Sequence, residues 1–287
     1  MASTTPSPEP VYTQGHSASV LASHQSRTVA NSASFLLPHL KNDNSNSPFT
    51  LVDLGCGPGT ITSGFCNHVP PRGRVIGIDA SAAVIAQAGS AHPESTYPNL
   101  EFRVGDITTA QLPFADGSVD VVFTHQTLLH IPIPAAERVV KEAHRILKPD
   151  GRGVLAMREA VALLFEPANP GTDAYVRCVD AAVRGTGAAG FQAGRSLHVW
   201  AGRAGFDRRK MLVGAGANCY AGPEGEARWW ADVHVARLEG EVGAGWLDRQ
   251  VVRGKAEIDD MKAGLKAWGG CDEAWASIVQ EEVLCWK

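Results

Sequence analysis

From position 50 onward the chain alternates short apolar runs with longer stretches in which apolar residues recur every three or four positions. The runs at 50–54, 74–78, 100–104, 119–124 and 154–157 are rich in Val, Ile and Leu and predict buried strands. Between them, 60–68, 82–91 and 135–147 have the length and spacing of connecting helices, and Lys148-Pro149-Asp150-Gly151 stops the last one. Five strands alternating with helices predict βαβ units and a parallel sheet.

The flanks read differently. Residues 1–10, polar and Pro-rich, predict a disordered tail. In 11–47, Val20, Leu21, Val29, Phe35, Leu36 and Leu40 keep helical spacing before a loop of Lys, Asn, Asp and Ser. Beyond 160 the alternation fades: 185–194 is rich in Gly and Ala, 195–204 is helical, 210–213 is apolar, and 224–266 is charged and helical. The chain therefore divides into a core at 48–160 and a region at 161–287 that completes the sheet and caps a pocket.

Composition narrows the class. Of 287 residues, 44% are hydrophobic and 20% charged, and 26 basic against 30 acidic side chains give a net charge of −4, the profile of a soluble globular protein. That balance argues against nucleic acid as a partner. Six cysteines without a C-x-x-C pair make a zinc cluster or a disulfide framework an unfavourable reading and place the chain in the cytoplasm. No run of apolar residues is long enough for a membrane span, and the start lacks the basic and apolar regions of a secretory signal.

Candidate chemistry concentrates where the first strand hands over to a helix, at Asp53-Leu54-Gly55-Cys56-Gly57-Pro58-Gly59-Thr60. Glycines there let the backbone turn sharply and let a ligand lie against bare peptide groups, while the following helix offers unpaired N–H donors. A dinucleotide site wants G-x-G-x-x-G, whereas these glycines are spaced G-x-G-x-G, which loosens the pyrophosphate reading. Asp79, at the end of the second strand, suits both hydroxyls of a ribose, or equally caps the helix from Ala82. Asp106, ending the third, suits an adenine amine while Ile107 packs on the ring; its plainer reading is a turn aspartate.

The glycine loop, Asp79, Gly105-Asp106, the approach Leu112-Pro113-Phe114 to Val119-Asp120-Val121-Val122, and Leu147-Lys148-Pro149-Asp150-Gly151 together resemble a class I methyltransferase dependent on S-adenosylmethionine. More narrowly they resemble the UbiE-like, ubiquinone/menaquinone-type group. Val11-Tyr12-Thr13-Gln14-Gly15-His16, Thr124-His125-Gln126 with Leu128 and His130, and the ending Val283-Leu284-Cys285-Trp286-Lys287 look like its fungal natural-product branch. The resemblance implies a doubly wound, mostly parallel, seven-stranded Rossmann-like α/β sheet with an N-terminal helical lid and a C-terminal helical cap. It also implies a reversed strand near the end, for which 277–285 is the candidate.

By the same resemblance Gly55, Gly57 and Gly59, with Cys56 and Thr60 beside them, lie under the amino-acid part and ribose of the cofactor. Asp79 and Ala80 flank the ribose, Asp106 and Ile107 the adenine, Thr124 and His125 the methionine portion, and Tyr12 and His16 belong to the lid. The cofactor implied is S-adenosyl-L-methionine, and no metal is expected, since the ten histidines are scattered.

Methyl transfer from a sulfonium is an in-line displacement, so alignment and exclusion of water dominate, with a base where the acceptor carries a proton. Candidates are His125, Gln126 and His130 after the fourth strand and Glu159 after the fifth, each with a bland alternative: local packing for the histidines, a solvent-facing amide for Gln126, and ion pairing of Arg158 and Glu159 with each other or with neighbours. Trp229, Trp230, Trp200, Phe191 and Tyr220 are candidates for an apolar acceptor pocket or for core. The expected function is methylation of a small apolar or aromatic metabolite, with oligomeric state open. The rivals are a methyltransferase-like binding or rearrangement protein without methyl transfer, and a nicotinamide oxidoreductase.

Overall fold

A computed structural model describes residues 24–40, 48–109, 111–222 and 225–287. The tail at 1–10 and the expected lid residues Tyr12 and His16 lie outside the described residues. Within them the sequence folds around one sheet of seven strands. These are β1 (Phe49–Leu54), β2 (Gly73–Asp79), β3 (Leu100–Val104), β4 (Val121–His125), β5 (Val154–Glu166), β6 (Leu212–Ala221) and β7 (Trp275–Trp286), in the order β3-β2-β1-β4-β5-β7-β6.

The inner strands run parallel, with Val52 of β1 facing Ile76 of β2 on one side and Val122 of β4 on the other. β7 alone is reversed, antiparallel to both β5 and β6, so the sheet is mixed. Strand order turns back on itself between β1 and β4, and the carboxyl ends of strands at such a switch point form a crevice. The glycine loop opens into it.

Helices cover both faces. On one, α4 (Ile133–Ile146) and α6 (Leu197–Ala204) bury Val139, Val140, Leu197 and Trp200 against Val52, Ile76 and Leu155. On the other, α1 (Val29–Ser32) and α2 (Thr60–Phe65) bury Val29, Ile61 and Phe65 against Leu51, Val75 and Phe123. The remaining helix of the doubly wound part, α3 (Ala82–Ala91), follows β2 with the predicted bounds.

A third apolar cluster lies beyond the inner sheet. It joins α5 (Pro170–Arg184), α7 (Glu226–Glu239), α8 (Glu241–Asp248) and α9 (Lys255–Gly269) to the outer half of β5 through Tyr175, Trp230, Trp246, Trp268, Leu163 and Phe165. No described helix is long and apolar enough to cross a membrane.

Two expectations need correction, and one helix went unforeseen. The fifth strand runs on to Glu166 because β7 pairs with it along its whole length, across an irregularity at Ala160/Ala162. The apolar patch at 210–213 leads into β6, an edge strand that continues through Gly214, Ala215, Gly216, Ala217 and Asn218 and so lacks a strand's composition. The helix at 170–184 had no expectation at all. Asn169 caps it by accepting from Gly171 and Thr172, and Ala174, Tyr175, Cys178 and Ala182 form its buried stripe.

Candidate active site

The loop after β1 is shaped by its three glycines. Gly55, Gly57 and Gly59 all have positive φ, at 75°, 53° and 82°. A Cβ on Gly55 would run into the Thr127 side chain, and one on Gly59 into the Phe102 ring, so these two glycines are demanded by protein packing. Among the described residues, its chain neighbours aside, a Cβ on Gly57 would meet no atom within 4 Å: this peptide faces the crevice. The loop is held from below by Gly55 N and Cys56 N, which donate to Ile78 O at 2.8 and 3.0 Å. Cys56 is buried, and burial pushes its thiol well above the usual range.

Asp53, one turn deeper, is 3% exposed and accepts from Thr62 Oγ1 at 2.6 Å. Desolvation pushes its carboxyl up to about 7, against the Thr62 hydrogen bond and with the nearby Asp79 adding to the rise. Asp79 at the tip of β2 accepts from Gly57 N on Oδ2 and from Ser81 N on Oδ1, both at 3.0 Å. Its alternative role as helix cap belongs instead to Ser81, whose Oγ accepts from Val84 N. Ala80 between them is exposed, and Thr60 opens α2.

At the third strand Asp106 Oδ1 accepts from both Thr108 N and Thr108 Oγ1, at 2.8 and 2.7 Å, which is its expected turn geometry and fixes where Oδ2 points. Ile107 is buried in the inner core. The strand tips of β1, β2 and β3 thus place a bare glycine peptide and two braced carboxylates along one edge.

The fourth strand ends in a polar network. Gln280 Oε1 on β7 lies 3.1 Å from His125 Nε2 and accepts from Gln126 Nε2 at 2.9 Å, while Gln280 Nε2 donates to Asn218 Oδ1 at 2.6 Å. Because that oxygen only accepts, His125 carries its proton on Nε2. His125 is fully buried, and desolvation followed by Arg27 and Arg158 holds it well below its ordinary value. Gln126 has φ of 48°, and its Oε1 accepts from Arg27 Nη2 at 2.6 Å. Thr124 is buried, and its Oγ1 has no hydrogen-bond partner among the described residues.

Glu159 serves a different purpose from the one expected. Its carboxylate accepts from Thr127 N and Leu128 N at 2.8 Å each and from Leu129 N at 3.4 Å, pinning the turn after β4. Burial pushes it up to about 7 in spite of those donors. Of the structural pairing expected for Arg158 and Glu159, with each other or with neighbours, Arg158 takes the second form: it lies 3.1 Å from Glu282 and donates to Asn31 O.

Beyond Gln126 lies a chamber of about 90 Å³, several times what one water needs. Gln126 and His130 line it; His125 and Glu159 do not. Its walls come from β5, β7, α5, α7 and α8, and include Leu163, Phe191, Trp230, Trp246 and Ile278. Of the aromatic candidates, Trp230 and Phe191 reach this chamber, Trp229 and Tyr220 line a separate, wider cleft beside β6, and Trp200 is core.

Several contributors carried no usable signal. Arg27, Tyr175, the helical pair His234 and Arg237, and Gln280 come from four different segments, and nothing in local spacing joins those segments. Asp53 did carry one: a carboxylate inside an otherwise apolar strand run, directly before the glycine loop.

Residues 51–151 match the family described as "Methyltransferase domain". A protein of Aspergillus luteorubrus named "Probable methyltransferase" is 30% identical over 96% of this chain and 97% of its own length. An uncharacterized methyltransferase of Schizosaccharomyces pombe is 30% identical over 81% of each chain. Among solved structures, a Bacillus halodurans protein, 17% identical, superposes over 88% of this chain and 96% of its own with a TM-score of 0.52, a likeness of fold.

Proposed function

The chain belongs to the class I methyltransferases, whose methyl donor is S-adenosylmethionine, and from that premise we propose that it methylates a small apolar or aromatic metabolite held in the chamber behind Gln126. The observation that carries this is the continuity of the site. A glycine peptide open to solvent and braced by Asp79 stands on one side of the β4 tip, and an apolar chamber on the other.

The residues present fit the cofactor. Gly57 offers a surface that no described side chain obstructs, Asp79 keeps lone pairs for two ribose hydroxyls after bracing the loop, and Asp106 Oδ2 with Ile107 suits the adenine. When bound, the cofactor supplies an electrophilic methyl on a sulfonium. The protein's own part is to hold the acceptor in line and keep water out, which the enclosed walls favour. Gln126, clamped by Arg27 and Gln280, is set to orient an acceptor oxygen or nitrogen. Of the base candidates His125, His130 and Glu159, only His130 lines the chamber; burial, then Arg27 and Arg237, hold it at about 3, so it is a weak base there and alignment carries the transfer.

In this reading residues 11–47 form the lid, 48–160 the cofactor-binding core, and 161–287 the sheet completion and cap. The motif set, together with a fungal relative matched over nearly its whole length, supports the UbiE-like group and its fungal natural-product branch. Six unpaired cysteines fit a reducing compartment such as the cytoplasm.

The test is a thermal-shift comparison followed by turnover. S-adenosylhomocysteine at 100 times its dissociation constant stabilises a protein that binds it by about 2.7 kcal/mol. Stabilisation by it and not by NAD, then release of S-adenosylhomocysteine with aromatic acceptors, is the expected result. Stabilisation by NAD alone refutes the assignment.

A further inference from the structure

We propose that the cap end of the chamber is an oxyanion anchor, so that the acceptor is an apolar or aromatic compound bearing an acidic oxygen, gripped by Arg237 and by the ring nitrogens of Trp230 and His234. The inference rests on the methyltransferase reading and names its substrate class. All three residues sit on α7, at 7%, 3% and 4% exposure, and all line the chamber.

Two of these groups lack a counterpart. Among the described residues neither Trp230 Nε1 nor His234 Nε2 has a hydrogen-bond partner, although both atoms are buried. An indole N–H is a donor only, and leaving it unmade in a buried site is costly, which a ligand acceptor would relieve. The rings are not free to turn away. Trp230 stacks on Tyr220 with centroids 3.9 Å apart, and His234 packs edge-on against Trp230 at 4.2 Å while its Nδ1 is bonded to the Tyr175 hydroxyl. With Nδ1 receiving the tyrosine proton, Nε2 carries the ring's own proton and becomes a second donor aimed at the same space.

The charge around them favours an anion. Arg27 and Arg237 both face the chamber, and the histidines among them are neutral: burial first, then these arginines, holds His24 and His234 well below the ordinary value and His130 at about 3. Among the described residues one carboxylate, Asp180, lines the chamber, and it is committed elsewhere, accepting from Phe191 N on Oδ1 and facing Arg184 through Oδ2. Apolar walls at Leu163, Val242, Trp246 and Ile278 leave the rest of the acceptor to be recognised by shape.

The experiment titrates the full-length protein, saturated with S-adenosylhomocysteine, with aromatic carboxylates from benzoate to 2-naphthoate and with their uncharged amides. At least one acid is expected to bind about tenfold tighter than its amide, the margin of one charge-assisted hydrogen bond. Arg237→Met should abolish the preference, and Trp230→Phe, which keeps the stacked ring but removes the N–H, should reduce it several-fold. Affinity for S-adenosylhomocysteine should be unchanged in both variants. Failure of every acid to exceed its amide, or a preference that survives in both variants, overturns the anchor. Failure of the wild type to bind S-adenosylhomocysteine instead refutes the reading beneath it.

Discussion

The backbone N–H of Gly57 donates to Asp79 Oδ2 at 3.0 Å, so the loop after β1 and the tip of β2 are locked together by the same carboxylate that faces the crevice. Asp79→Ala then removes a ligand contact and the brace of the loop at once. Hydrogen bonds to a charged group contribute about 1.5–3 kcal/mol, so the dissociation constant of S-adenosylhomocysteine should rise between about tenfold and a hundredfold. His130→Ala, at the far side of the β4 tip, should leave it nearly unchanged. Calorimetric titration of both variants checks this; equal affinities would remove Asp79 from the ribose.

The three loop glycines should separate into two classes. Gly57→Ala places a Cβ in open space at positive φ, so the fold loses about 1–2 kcal/mol while cofactor binding falls more than tenfold. Gly59→Ala adds a clash with the Phe102 ring to the same strain and should cost about 2–5 kcal/mol of stability. Urea unfolding beside ligand titration distinguishes them. Should Gly57→Ala bind S-adenosylhomocysteine normally, that peptide does not lie under it.

Most of the inner sheet was legible because buried parallel strands announce themselves as apolar runs. The half-buried edge strand at 100–104 and the 82–91 helix also have their expected bounds, and the glycine loop with Asp79 and Asp106 is local enough to be read from spacing. The chamber was not legible. Besides Gln126 and His130, its polar groups reach it from the N-terminal segment, α5 and α7, and in the network beside it only the long pairing of β5 with β7 brings Gln280 over His125 and Gln126. Glu159 shows the opposite hazard: its place beside the site was readable, but its use was decided by three backbone N–H groups of a turn that sequence spacing does not reveal.

Glu159 also makes a pH prediction. Its carboxyl ionises near 4.5 in the unfolded chain and is pushed up to about 7 in the fold, so the stability it contributes is complete below about pH 4.5 and is lost as pH rises through 7. Glu159→Gln keeps an oxygen for Thr127 N and Leu128 N but cannot ionise. Relative to wild type it should be less stable by about 1 kcal/mol at pH 5 and should gain on it by about 2–3 kcal/mol at pH 8. Urea midpoints at the two pH values measure the difference, and a constant gap would show that Glu159 does not titrate in this window.

Gln280 offers the sharpest probe of the β4 tip, because one amide serves three neighbours. Its oxygen receives His125 and Gln126, and its nitrogen donates to Asn218. Gln280→Leu would strand the buried His125 ring and leave the half-buried Gln126 and Asn218 to water, so a loss of about 1–3 kcal/mol is expected. Gln280→Glu tests the arrangement rather than the loss. A carboxylate accepts from His125 and Gln126 as the amide oxygen does, but it places a negative charge about 3 Å from the His125 ring and so opposes the burial, Arg27 and Arg158 that hold that ring neutral. The His125 titration, followed by NMR of the ring carbons, should therefore move up by about 1–3 units in this variant, while His130 moves far less. The shift requires His125 and residue 280 to be in direct contact. An unchanged His125 titration would mean that the network does not form, and with it would go the positioning of Gln126 on which the orientation of the acceptor depends.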